Sequence, residues 1–173
     1  VNLLLRIGEE AFNEINRLAL LDKQVDFKVG RVAIEHKALY KIFTTEGEIL
    51  GNVSGKMQHA ALSREDYPAV GDWVIIDRTD ANTGNAVIHG ILPRKSKFSR
   101  KIAGNKSDEQ IIATNIDYLF ICMSLNKDFN LKRLDRYLIM AWDGGANPVI
   151  LLTKSDLCSD EGFIEERLNH CID

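Results

Sequence analysis

At 173 residues, with 45% hydrophobic and 27% charged side chains, the chain has the composition of a soluble globular protein and enough apolar material for one large domain or two small ones. A net charge of -3 excludes a chain that is basic throughout, so any contact with nucleic acid must come from local clusters. Cys122, Cys158 and Cys171 lie far apart, without zinc-knuckle or disulfide spacing, no run reaches the roughly 18 apolar residues of a membrane span, and no signal-peptide pattern opens the chain; a reduced cytoplasmic compartment and no membrane partner are expected.

Residues 1–27 form the first segment. Leu3, Leu4, Ile7, Ala11, Ile15, Leu18 and Leu21 recur there at three- and four-residue spacings, which predicts an amphipathic helical lead. Residues 28–93 change to period-two runs at 31–35, 39–44, 49–53, 73–77 and 86–92, punctuated by Glu46-Gly47, Gly71-Asp72 and residues 82–85. Between the third and fourth runs, residues 56–68 hold a short helical stretch that Pro68 stops. Five strands with a helix between the third and fourth is the order of an OB-fold barrel, a fold that offers a strand face and its loops to oligonucleotides.

Residues 94–114 read as a polar linker. Arg94, Lys95, Lys97, Arg100, Lys101 and Lys106 fall within thirteen positions with no acid among them and with Phe98 interleaved. Such a stretch can neutralise phosphates and stack on an unpaired base, giving salt-dependent affinity for RNA with little sequence choice; the bland alternative is a solvated linker. On the barrel, Lys37, Tyr40, Lys41 and Lys56 are the candidate RNA-contacting residues, with Tyr40 equally suited to the core and Trp73 read as core. His36, His59, His89 and His170 are scattered, without metal spacing, and receive no catalytic role.

Residues 115–173 begin a different layout. A continuous apolar run at 118–123, a helix at 130–142 with Leu131, Leu134, Leu138 and Ala141 on one face and Gly144-Gly145 as its stop, a second apolar run at 149–152 and a helix from Glu161 make a βαβ unit of an α/β domain, its parallel strands expected to be buried on both faces. Loops after the carboxyl ends of such strands bind ligands, and Thr153-Lys154-Ser155-Asp156 occupies that place. A carboxylate at Asp156 can accept paired hydrogen bonds from the N1–H and exocyclic amine of guanine, which adenine cannot supply, while the Lys154 stem can cover the purine face. The alternative is that Ser155 or Asp156 caps the following helix.

Several stretches together resemble the ribosome-assembly GTPase family known as RsgA or YjeQ. They are residues 51–56 (Gly-Asn-Val-Ser-Gly-Lys), 61–74 (through Ser63-Arg64-Glu65-Asp66-Tyr67-Pro68 and Gly71-Asp72-Trp73-Val74), 98–117 (Phe98-Ser99-Arg100-Lys101 to Asn115-Ile116-Asp117), 128–138 and 152–157. The resemblance implies a multidomain β plus α/β chain, a five-stranded OB-fold barrel followed by the first βαβ part of a circularly permuted P-loop GTPase domain. In that order the guanine loop precedes the phosphate loop. It implies a monomeric GTP hydrolase that uses GTP with Mg²⁺, binds the small ribosomal subunit and its rRNA late in maturation, releases GDP and phosphate, and carries zinc only in a C-terminal domain absent here.

No Gly-x-x-x-x-Gly-Lys-Ser/Thr occurs in the 173 residues, so they are expected to hold no catalytic residue and to be the inactive front part of a longer enzyme. Thr153 departs from the Asn that usually opens the guanine motif, which leaves base choice by Asp156 unaffected and puts the bracing of the loop in question. A stand-alone OB-type RNA-binding protein without catalysis is the competing reading.

Overall fold

The computed structural model describes residues 26–101, 109–125, 129–157 and 161–172, together with Asn13 and Arg17; the predicted helical lead and Lys106 fall outside the described residues. The chain divides into two compact units, Val1–Asn115 and Ile116–Asp173.

In the first unit, β1 (Lys28–His36), β2 (Leu39–Phe43), β3 (Glu48–Val53), β4 (Trp73–Ile76) and β5 (Ala86–Ile91) close into a barrel of order β1-β2-β3-β5-β4, with helix α1 (Gly55–Ala60) and a 3₁₀ turn (Arg64–Asp66) between β3 and β4. This is the expected OB order. Period two sets which residues enter the core: Val32, Tyr40, Ile42, Ile49, Val53, Val74, Ile76, Ala86 and Ile88 form one cluster, while Lys41 and Phe43 point the other way along β2. Ile42 fills the barrel because Gly30 and Gly51 leave it room; a Cβ on them would stand 2.2 Å and 2.6 Å from its side chain. Strand β4 is buried along its whole length, since Trp73 and Ile75 join Leu92 in a second cluster with Phe27 and Val29.

The stretch expected to be a linker differs from that reading. It contains β6 (Lys97–Lys101) and β7 (Glu109–Thr114), an antiparallel pair running from Lys97↔Thr114 to Lys101↔Glu109, and it belongs to the same compact unit as the barrel.

In the second unit, β8 (Tyr118–Ser124) and β9 (Asn147–Thr153) pair in parallel around helix α2 (Leu131–Asp143), and helix α3 (Glu161–Ile172) follows. Asn130 caps α2 by accepting a hydrogen bond from the Arg133 N–H at 3.0 Å, and Gly144 and left-handed Gly145 end it. Its apolar stripe covers one sheet face, where Ile121, Met123 and Leu134 pack with Leu119, Leu138, Ile150 and Leu152. The strands are therefore not buried on both faces among the described residues: Tyr118 (63%) and Phe120 (61%) are exposed on the other side.

Candidate nucleotide and nucleic-acid sites

The carboxyl ends of β8 and β9 lie level, with Ser124 opposite Thr153 and the Leu125 N–H bonded to the Thr153 carbonyl at 2.9 Å. This is the edge of a parallel sheet at which α/β folds bind ligands. Immediately after it, Lys154 takes a left-handed conformation (φ +60°) that turns the chain out of the strand, and Ser155–Leu157 form a single 3₁₀ turn closed by the Leu157 N–H on the Lys154 carbonyl. Lys154, Ser155 and Asp156 are all exposed, and the Asp156 carboxylate makes no hydrogen bond or ion pair among the described residues.

Helix α3 starts at Glu161, so neither Ser155 nor Asp156 sits at its cap. The Thr153 hydroxyl donates to the Met123 carbonyl at 3.4 Å and so braces the end of β9 against β8. Sequence reasoning missed Arg167 of α3, which donates to the Leu125 carbonyl and lies 4.4 Å from the Phe129 ring centroid, tying α3 to the same sheet edge. Spacing gives no signal for that contact, because donor and acceptor are 42 positions apart.

The first unit sorts the candidate RNA-contacting residues into different fates. Lys37, Lys56, Lys95 and Arg100 are exposed, Lys97 reaches Glu65 at 3.5 Å, Lys41 pairs with Glu48, and the side chain of Lys101 lies outside the described set. Arg100 is oriented across the hairpin by two hydrogen bonds to the Gln110 side-chain oxygen at 3.1 and 2.9 Å.

Three aromatic or cationic candidates for RNA contact are turned to the interior, Tyr40 following the core alternative. Tyr40 is 1% exposed, a core residue with no face to offer a base; burial, with the Glu35 and Tyr67 charges adding and Arg64 opposing, pushes its hydroxyl up to about 12. Phe98 is 8% exposed and likewise cannot stack on RNA. Arg94 is committed internally: its guanidinium donates to both carboxylate oxygens of Asp72 at 2.9 and 2.7 Å and to the Glu65 and Tyr67 carbonyls at 3.0 and 3.1 Å. This bidentate pairing with a fully buried carboxylate commits the guanidinium to the interior and leaves it unavailable to a surface phosphate.

Lys37 owes its exposure to a strained connection. Lys37 and Ala38, joining β1 to β2, hold φ of +48° and +66°, the paired left-handed values of a type I′ turn that usually selects Asn and Gly, and Asn52 supports the turn by donating to the Ala38 carbonyl at 3.2 Å. Ala38→Gly is expected to stabilise the barrel by about 0.5–1 kcal/mol, the relief of a left-handed alanine less the entropy of glycine. An unchanged or lower urea midpoint would contradict the strain.

Among the described residues no group of three or more His, Cys, Asp or Glu side chains could hold a metal ion, and no helix is long and apolar enough to cross a membrane.

Comparison with known proteins agrees with this layout. The family model described as RsgA GTPase matches residues 91–172. The chain is 52% identical over 132 residues to small ribosomal subunit biogenesis GTPase RsgA 2 of Lactiplantibacillus plantarum, covering 76% of this chain and 37% of that protein. It is 45% identical over 145 residues to RsgA 1 of Oceanobacillus iheyensis, covering 84% and 41%. In fold it is similar to the crystal structure of YloQ, a circularly permuted GTPase, with a TM-score of 0.62 at 20% identity over 85% of this chain and 47% of that one. The chain thus spans about two fifths of the length of the curated relatives it matches.

Proposed function

This chain belongs to the RsgA GTPase family, and from that premise we propose that it supplies the RNA-binding barrel and the guanine-recognition loop of a GTPase that binds the small ribosomal subunit late in its maturation and hydrolyses GTP to GDP and phosphate. The observation that carries the reading is the exposed Asp156 carboxylate, which has no partner among the described residues and is held on a turn at the carboxyl edge of a parallel strand pair. Thr153 braces the strand end that carries the turn, Lys154 covers the purine face, Asp156 reads the base, and Ser155 is the free position between them. The β- and γ-phosphates and Mg²⁺ require a phosphate-binding loop that these 173 residues do not contain, so by themselves they hydrolyse no GTP. In the complete protein the exposed Tyr118 and Phe120 face of β8 is the surface that the rest of the GTPase domain would cover. The complete protein acts as a cytoplasmic monomer with zinc confined to another domain.

The RNA half of the reading rests on Lys37, Lys41, Lys56 and Lys95 of the barrel unit and on Lys97, Arg100 and Lys101 of β6, with Arg94 and Tyr40 withdrawn from the contact set because both are committed to the interior. Replacing Lys97, Arg100 and Lys101 together by Ala is expected to weaken binding to small-subunit ribosomal RNA. The slope of log affinity against log salt should fall by about 2–3, roughly one unit per lost phosphate contact. Unchanged affinity and slope would refute the contact. A stand-alone RNA-binding protein, the alternative, would show this salt response but no preference for guanine nucleotides.

A further inference from the structure

The base of the β6–β7 hairpin is fastened to the turn before β4 by a buried network that neither RNA contact nor nucleotide binding requires. Asp72 is its centre. Fully buried, its carboxylate accepts from the Ala69 N–H at 2.8 Å, from Arg94 at 2.9 and 2.7 Å, and from the Thr114 hydroxyl at 2.7 Å. Thr114, the last residue of β7, is also fully buried, and its N–H donates to the Val70 carbonyl at 2.9 Å.

Gly71 lets the two segments close: it holds φ +93°, and a Cβ there would stand 2.1 Å from the Thr114 carbonyl oxygen. Beside it, left-handed Asn115 donates from its amide to the Gly71 carbonyl at 3.1 Å and accepts from the Lys95 N–H at 2.8 Å. Arg31 completes the join, donating to the Asn115 carbonyl at 2.9 Å while lying 5.4 Å from the Trp73 ring centroid. Every buried side-chain polar atom of this junction has its partner, and a buried network of that kind has one low-energy arrangement.

We propose that Asp72 is a positioning residue for nucleic-acid binding: through Thr114 and Arg94 it fixes the cationic β6–β7 hairpin rigidly on the barrel, so that hairpin and barrel engage one RNA as a single preorganised surface. The proposal rests on the RNA-binding reading above. A hairpin free to swing would spend binding energy on being ordered, whereas a fixed one presents Lys97 and Arg100 at a set place relative to the barrel's cations.

Thr114→Val, which keeps shape and removes the hydroxyl, tests it in this chain against an in-vitro transcript of small-subunit ribosomal RNA. Amide exchange at residues 111–114 is expected to accelerate about tenfold to a hundredfold, the loss of one buried hydrogen bond to a charged acceptor, while amides of β4 stay unchanged. RNA binding is expected to weaken, and replacing Lys97, Arg100 and Lys101 by Ala is expected to cost at least about threefold less affinity in the Thr114→Val background than in the native one, because mispositioned cations have less to lose. Thr114→Ser, which restores the hydroxyl, should restore both readouts. Asn115→Gly, which permits the left-handed backbone but removes the amide, is a second lever with the same expectation.

Equal acceleration in β4 and the hairpin, or an equal cost of the triple replacement in both backgrounds, would overturn the proposal and leave the RNA-binding reading standing. Failure of the native chain to bind the transcript at any salt concentration would overturn that reading and the proposal with it.

Discussion

Asp72→Ala is expected to destabilise the barrel unit by about 3–5 kcal/mol, the cost of leaving one partner of a buried ion pair without the other. Asp72 is fully buried and Arg94 mostly so, with 18% of its side chain exposed. Removing the carboxylate strands the guanidinium beside the Glu65 and Tyr67 carbonyls, which share its charge only in part, and takes acceptors from the Ala69 N–H and the Thr114 hydroxyl. The measurement is urea unfolding followed by Trp73 fluorescence in a Trp142→Phe background, a mild change because Trp142 is 62% exposed. A loss below about 1 kcal/mol, the range of surface ion pairs, would mean that the network is not what holds this junction together.

The same network shows where sequence reasoning ends. The barrel is legible because alternation is local: Glu48 faces out and Ile49 in, and the pattern continues through Val53. The α/β unit is legible for a similar reason, with Leu131, Leu134, Leu138 and Ala141 on one stripe and Gly144-Gly145 as its stop. Sequence alone places Arg94 among the RNA-contacting cations because its counter-ion stands 22 positions earlier, a pairing that no window along the chain can see. The usable clue is Asp72 itself, a carboxylate next to the wholly apolar run of β4, which could be buried there only with a cation and hydrogen-bond donors to match.

The hairpin is hidden for a related reason. Strand β6 reads Lys-Phe-Ser-Arg-Lys, with one apolar residue and no alternation to mark a strand. Phe98 is buried by tertiary packing, while β7 supplies the ladder that makes β6 a strand at all. Residue type alone gives Tyr40 two possible fates; its position two residues before Ile42 on β2 puts both on the inner face. The exposure of Phe120 is not readable from the sequence either, because a continuous apolar run does not say which of its faces a given length of chain will cover.

Base choice isolates the guanine-reading role proposed for residues 153–156. An aspartate accepts from both the N1–H and the exocyclic amine of guanine. An asparagine turned to donate faces that amine with its own N–H, but matches the oxygen that xanthine bears in its place. In the complete protein, Asp156→Asn is expected to lower GDP affinity by about 10–100-fold, or roughly 1–3 kcal/mol for a buried donor left unpaired, and to raise affinity for xanthosine diphosphate. The decisive measurement is a calorimetric titration of the native and Asp156→Asn proteins with both diphosphates. Reversal of the preference is the predicted result; GDP affinity left untouched by the substitution would contradict the assignment of Asp156 as the residue that reads the base.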